Sequence, residues 1–186
     1  MKRIGIDLDN VLMDISFIFK LAFQYFGEEF YYTKYWDFDD YPEYIKNKIF
    51  EMFKEEYIMV DLIPFIHPVK DIQKVFKHLK DNNYDIHIVT NRDYPQTYRL
   101  EELLYINFIE IDNIHVCGIG NSKVDIIKKN NIDIMIDDSP VVIKDCLDND
   151  IPVIMVSNET TLYNHYLADG NIPVINNILC VNHPLT

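Results

Sequence analysis

Basic residues are scarce in this chain. Seventeen Lys and Arg stand against thirty Asp and Glu in 186 residues, a formal net charge of −13 and a pI of about 4.7. Nucleic-acid polymers and anionic membranes are poor partners for such a chain, because their affinity comes from Lys and Arg neutralising phosphates. A small phosphorylated substrate is not excluded, provided a bound cation and one or two placed basic groups reverse the local field. Cysteine is scarce too. Cys117, Cys146 and Cys180 lie apart with no CxxC pair, which reads as reduced, mostly buried thiols in a cytoplasmic protein. The six histidines form no HxH or HExxH pattern, which argues against a structural zinc site. No apolar run is long enough to span a bilayer. The N-terminus runs straight into a strand carrying two Asp, so no secretory signal is expected. Asn158-Glu159-Thr160 matches a glycosylation acceptor, but without secretion the match carries no meaning. Repeats, low-complexity tracts and flexible linkers are absent as well.

What is present fits one domain with an insertion, carrying an ordinary 48% of hydrophobic residues. Its first feature is Ile4-Gly5-Ile6-Asp7-Leu8-Asp9-Asn10-Val11, an apolar strand running into two carboxylates. Alternation sets Ile4, Ile6 and Leu8 on one side and Gly5, Asp7 and Asp9 on the other. Acids at the carboxyl end of a buried strand sit where open α/β sheets place their chemistry. In a chain this acidic, Asp-x-Asp also fits a solvated turn or a loose cation site.

Residues 13–27 carry Ile15, Ile18, Leu21, Ala22 and Phe26 near helical spacing and close on Gly27. An aromatic, acidic stretch follows (Phe30-Tyr31-Tyr32, Tyr35-Trp36, Phe38, Tyr41). Pro42 can open a helix with Ile45, Ile49, Met52 and Phe53 on one stripe. No strand pattern occurs between residues 13 and 66, which predicts a small helical insertion. From Pro68 the chain becomes regular: helix 68–81, strand 85–90, helix 95–108, strand 113–117, helix 122–130, strand 132–137, helix 140–149, strand 152–156 and a short strand near 173–176. Strands alternating with helices mean βαβ units and an α/β fold with a parallel sheet. The nearly unbroken apolar strands fit a sheet covered on both faces.

Three strand ends after the first carry chemistry. Thr90-Asn91-Arg92 closes strand 85–90, and a hydroxyl and an amide there can hold phosphate oxygens, though a strand Thr followed by a turn Asn reads equally well. Lys123 opens a helix, where the dipole favours anions. It makes sense beside a bound anion or a nucleophilic carboxylate, and also as surface decoration. Asp137-Asp138 ends strand 132–137, where a divalent cation such as Mg²⁺ would relieve the repulsion between two hard oxygen ligands. The pair also fits a helix cap before Ser139-Pro140.

Taken together, DxD, T-N, a helix-leading Lys and DD along one sheet edge resemble the four motifs of the haloacid dehalogenase superfamily of phosphotransferases. The combination IDLDNV, a small helical insertion, IVTNR and IDDSP is most similar to the cytosolic-type 5′(3′)-deoxyribonucleotidase family and related bacterial nucleotidases. The resemblance implies a Rossmann-like doubly wound core over residues 1–12 and 67–186 with a helical cap over 13–66. It implies Asp7 as nucleophile and Asp9 as acid and then base. Mg²⁺ would be held by the Asp7 side chain, the Asp9 backbone carbonyl and Asp138, with Asp137 orienting bound water or sharing the metal. Thr90, the Asn91 backbone and Lys123 would bind the transferring oxygens. Asn10 stands where family members usually carry Gly, and Asn tolerates unusual backbone angles, so the turn is expected to survive.

The implied activity is a Mg²⁺-dependent phosphomonoesterase acting on nucleoside monophosphates. Phosphatase action on a sugar phosphate and non-catalytic phosphate sensing are the alternatives. Phe17 and Trp36 are candidate substrate contacts, and Arg92 either touches substrate or pairs with an acid. Oligomeric state stays open, a homodimer among the options. Phospho-accepting receiver domains share acids, a Thr and a Lys on a doubly wound sheet, but their accepting Asp ends the third strand and they have no such insertion.

Overall fold

The computed structural model describes residues 1–29, 42–54, 67–92, 111–118, 120–156, 173–175 and 178. In chain order the elements are β1 (Lys2–Ile6), β2 (Met13–Asp14), α1 (Ser16–Tyr25), α2 (Glu43–Lys54), β3 (His67–Pro68), α3 (Ile72–Asp81), β4 (Tyr84–Thr90), β5 (Asn113–Val116), α4 (Val124–Lys129), β6 (Ile134–Asp137), α5 (Pro140–Asp148), β7 (Val153–Val156) and β8 (Val174–Ile175). The predicted helix 95–108 and the segment 57–65 lie outside the described residues.

Six strands form one sheet in the order β5-β4-β1-β6-β7-β8, every neighbouring pair parallel. From β1 the chain builds outward through β4 to β5, then crosses back to β6 on the other side of β1. The order reverses at β1, and a doubly wound sheet opens its crevice at the carboxyl ends beside such a reversal. Asp7 lies in that crevice because it is the residue after β1.

The alternation read from the sequence holds. Ile4, Ile6 and Leu8 join Ile86, Ile88, Ile136 and Ile154 in one buried cluster, closed by Ile72, Val75, Phe76 and Leu79 of α3. Met135, Val153 and Met155 face the other way, into a second cluster closed by Val124 and Ile127 of α4 and Ile143 and Cys146 of α5. Gly5 belongs to this second face. A Cβ there would lie 2.8 Å from Met135 Sδ and 3.0 Å from Ile132 Cγ2, inside van der Waals contact. Gly5→Val is therefore expected to cost about 1–3 kcal/mol through overpacking. A thermal melt checks it, and an unchanged melting temperature would mean that the cluster yields freely.

The segment after β1 departs from the prediction in two places. No strand was expected between residues 13 and 66, yet β2 pairs with β3 in antiparallel register, Met13 opposite Pro68 and Asp14 opposite His67. Val69 N–H adds a bond to the Leu12 carbonyl at 2.8 Å. The chain thus leaves the sheet and returns to it at one point, and α3 starts at Ile72 rather than residue 68. Two residues are too short a run for alternation to show. Ile15, just ahead of α1, and Ile18, Ala22 and Phe23 within it are buried while Leu21 is exposed, so Phe23 takes the inward place predicted for Leu21. Phe26 is partly buried against the first cluster, as expected. The Phe53 side chain lies outside the described residues.

Candidate active site

The site begins with the turn that follows β1. Asp7 N–H donates to the Ile136 carbonyl at 2.9 Å, which holds the first carboxylate between β1 and β6. The chain then reverses: Asn10 N–H reaches the Met13 carbonyl at 2.7 Å and Met13 N–H the Leu8 carbonyl at 2.9 Å. Asn10 takes φ 59°, the left-handed conformation that Gly adopts freely and Asn tolerates better than most residues. The expected survival of the turn is what the backbone shows.

β4 delivers Thr90, buried at its last position, with Asn91 and Arg92 behind it. The Arg92 N–H donates to Thr90 Oγ1 at 3.2 Å. The Asn91 side chain ties the loop in place. Its Nδ2 donates to the carbonyls of Gly118 (3.2 Å) and Asn121 (2.6 Å), tying the end of β4 to the loop that leads to Lys123. Asn121 secures the same loop from within, its Nδ2 donating to the Cys117 carbonyl at 2.8 Å.

Lys123 caps α4 from its N-terminal side and turns inward, 3% exposed. Its Nζ donates to Asp7 Oδ1 at 2.5 Å and to Asp137 Oδ2 at 2.7 Å. The sequence left it between anion partner and surface decoration; it is buried between two acids. Burial by itself would pull the ammonium's pKa down, but Asp137 and Asp7 more than reverse that and raise it. Asp137 also serves the turn, its Oδ1 accepting from the Ser139 N–H at 2.9 Å. Asp137 thus both fixes the turn ahead of the next helix and pairs with Lys123.

Asp137 and Asp138 are 0% exposed, and Asp7 is buried with them. One carboxylate oxygen from each lies within 4.8 Å of the others. Crowding has the expected electrostatic effect. Burial raises the Asp7 pKa from 3.8 to about 7; Lys123 pulls against this, while Asp137 and Asp9 push with it. Asp138 is pushed well above the usual carboxylate range, first by burial and then by Asp7 and Asp137.

Asp9 faces Arg92. The guanidinium Nε donates to Asp9 Oδ2 at 2.8 Å and Nη2 to Oδ1 at 2.5 Å, a side-on fork. Burial disfavours the Arg92 charge, but Asp9 and then Asp7 outweigh it and raise its pKa. Of the two options that the sequence left for Arg92, pairing with an acid is the one seen. Phe17 is 47% exposed on α1, and Trp36 lies outside the described residues. Seven positions thus meet at one sheet edge: Asp7, Asp9, Thr90, Arg92, Lys123, Asp137 and Asp138.

No protein-family model and no curated protein sequence matches the chain. Solved structures do. A predicted phosphatase from Clostridium acetobutylicum aligns over 97% of this chain and 96% of its own, at 17% identity and a TM-score of 0.66. A HAD hydrolase of family IA from Entamoeba histolytica aligns over 97% and 95%, at 16% identity and a TM-score of 0.68. The chain has the haloacid dehalogenase fold. A third match, the D,D-heptose 1,7-bisphosphate phosphatase of B. bronchiseptica solved with magnesium and phosphate, covers 98% and 96% at 13% identity and a TM-score of 0.58. Among the described residues no helix is long and apolar enough to cross a membrane.

Proposed function

We propose that this protein is a Mg²⁺-dependent phosphomonoesterase that works through a phosphorylated Asp7 and acts on nucleoside monophosphates. The observation that carries the reading is Asp7 itself, a buried carboxylate held by Lys123 and flanked by Asp137 and Asp138 at the carboxyl edge of a parallel sheet. The fold is shared with phosphatases, and the nucleotide preference rests on the motif resemblance and on the aromatic stretch 30–41, which lies outside the described residues.

The donor set fits a hard divalent cation. Four carboxylates (Asp7, Asp9, Asp137, Asp138) face two cations (Lys123, Arg92), and the two charges left over are what one divalent ion cancels. Asp7, Asp138 and the Asp9 carbonyl would hold Mg²⁺, with Asp137 sharing it or orienting its water. When bound, the ion supplies charge neutralisation for the phosphoryl oxygens and keeps Asp7 ionised.

The chain's own groups do the rest. An Asp7 oxygen attacks phosphorus, the bond from phosphorus to the ester oxygen breaks, and the departing alcohol takes a proton from Asp9. Water then attacks the phosphorylated Asp7, losing a proton to Asp9, and the P–O bond to Asp7 breaks to give inorganic phosphate. Thr90 Oγ1 and Lys123 Nζ take the equatorial oxygens, where charge develops. Residues 13–66, entered and left at the β2–β3 pair, act as the cap that closes over the leaving group. The small phosphorylated substrate is the partner; nucleic-acid polymers and membranes are not. The scattered cysteines, with no CxxC pair, are the ground for a cytoplasmic setting.

Phosphate release from deoxyribonucleotides, ribonucleotides and sugar phosphates, with Mg²⁺ and with EDTA, tests the reading. Metal-dependent turnover of nucleotides that Asp7→Asn abolishes is the expected result. Turnover confined to sugar phosphates removes the nucleotide assignment and leaves the mechanism. A folded, Mg²⁺-loaded protein that turns over nothing is a phosphate-binding protein instead.

A further inference from the structure

Two buried cations stand at the sheet edge, and they are engaged differently. Lys123 lies between two carboxylates, Asp7 and Asp137. Arg92 covers both oxygens of Asp9, and Asp9 is the residue that has to reach the ester oxygen. While the fork is in place, both Asp9 oxygens are turned toward Arg92 rather than toward a leaving group.

The surroundings of Arg92 suit a second partner. Its backbone N–H sits on Thr90 Oγ1, so the side chain starts beside a hydroxyl that takes phosphoryl oxygens. The residue is 8% exposed, which protects its interactions from solvent screening. Among the described residues Nη1 makes no hydrogen bond, so the five-donor guanidinium has capacity left. A planar fork recognises phosphate as well as carboxylate. A phosphomonoester dianion carries two charges where Asp9 carries one, so at equal distance its attraction for Arg92 is about twice as large.

We propose that Arg92 changes partner when substrate binds. It holds the Asp9 carboxylate in the free protein and moves onto the non-bridging oxygens of the phosphoryl group in the complex, which frees Asp9 to take a proton from water and turn it toward the ester oxygen. Arg92 becomes a third phosphate ligand beside Thr90 and Lys123, and Asp9 stays occupied until a substrate is in the site. Apart from that proton, no covalent bond changes in the exchange. The inference rests on the phosphate-ester reading of the site.

Inorganic phosphate is the probe, titrated calorimetrically into Mg²⁺-loaded wild type, Arg92→Gln, Asp9→Asn and the double variant. In the wild type, phosphate must break the Asp9–Arg92 pair before it gains Arg92, whereas in the Asp9→Asn background Arg92 is already released. Losing Arg92 should therefore cost more affinity in the Asp9→Asn background than in the wild type. The expected loss there is about 10- to 100-fold, the worth of charge-assisted hydrogen bonds. An Arg92 that never leaves Asp9 gives the opposite order, because its loss then hurts only by leaving the Asp9 charge exposed to phosphate. Equal costs, or a smaller cost in the Asp9→Asn background, overturn the proposal. Arg92→Lys keeps the charge without the fork and is read by the same order of costs should Arg92→Gln fail to fold. If the wild type binds no phosphate with Mg²⁺ present, the phosphomonoesterase reading itself falls and takes this inference with it. Phosphate binding with the wrong order of costs leaves that reading standing and removes only the role of Arg92.

Discussion

Replacing Asp7 with Asn is expected to abolish turnover and, in the metal-free protein at pH 8, to raise stability. Asp7 is the proposed nucleophile, and loss of such a group removes about 10⁴- to 10⁶-fold of rate. The gain in stability follows from the sign of the Asp7 shift. Its pKa is about 7 in the folded protein against an ordinary 3.8, so the folded state binds this proton more tightly than the unfolded state does. Stability from that group is fully present below about pH 4 and is lost as the pH rises through about 7. At pH 8 the wild type carries the whole penalty of an ionised, buried Asp7, on the order of 4 kcal/mol at 1.36 kcal/mol per unit. The Asn variant carries none of it. The difference in melting temperature between variant and wild type should therefore be near zero at pH 4 and grow to roughly 10 °C by pH 8. With Mg²⁺ present the difference should shrink or reverse, because the ion stabilises only a site that binds it. A variant no more stable than wild type at pH 8 without metal would mean that the carboxylates are not crowded.

The charge pattern behind this prediction was largely legible in the sequence, and the reason is local. Asp7, Thr90 and Asp137 each lie at or just past the carboxyl end of an apolar strand, and a parallel sheet gathers such ends along one edge whatever the rest of the chain does. The alternation of Ile4, Ile6 and Leu8 against Gly5 was equally readable, since period two shows clearly over five residues. The turn at Asn10 was expected from the resemblance, and its survival from the tolerance of Asn for positive φ. What could not be read was pairing across long separations. Arg92 and Asp9 are 83 positions apart, and no periodicity says which of thirty acids an arginine will meet. The β2–β3 pair is hidden for a related reason, because two residues carry no pattern and only the geometry of departure and return makes them a ladder. Leu21 and Phe23 exchanged places because both lie within one turn of α1, where helical spacing leaves the inward direction poorly determined. The backbone role of Asn91 came from the resemblance alone; the carbonyls that its side chain ties down belong to a loop whose position only the folded chain supplies.

Lys123→Met should act on the same cluster with the opposite sign. The substitution keeps a side chain of similar length but removes the ammonium that bridges Asp7 and Asp137. Breaking a buried pair by deleting one partner typically costs about 3–5 kcal/mol, because the charges left behind are neither solvated nor paired. At pH 8 without metal the melting temperature should fall by roughly 10 °C. Lys123 is held charged throughout this range, so the pH dependence of the loss comes from the acids alone. Lys123 holds the Asp7 pKa down, so in the variant Asp7 takes up its proton at a higher pH than in the wild type, and the deficit should be largest in alkali and narrow as the pH falls toward 7. A divalent cation should recover more stability in this variant than in the wild type, since it becomes the cluster's main counter-charge. In the proposed mechanism Nζ would also meet the equatorial oxygens, so turnover should stay low even when the fold is rescued, a contribution worth about 10²- to 10³-fold for a single donor of this kind. Thermal melts across pH, with and without Mg²⁺, separate the two roles. A melting temperature at pH 8 that does not respond to losing Lys123 would show that the pair makes no net contribution, and Asp7 would then need another source for its ionised form. Opposite stability changes for Asp7→Asn and Lys123→Met, both growing with pH and both reduced by the cation, are the signature of a site built with more negative charge than its own residues can neutralise.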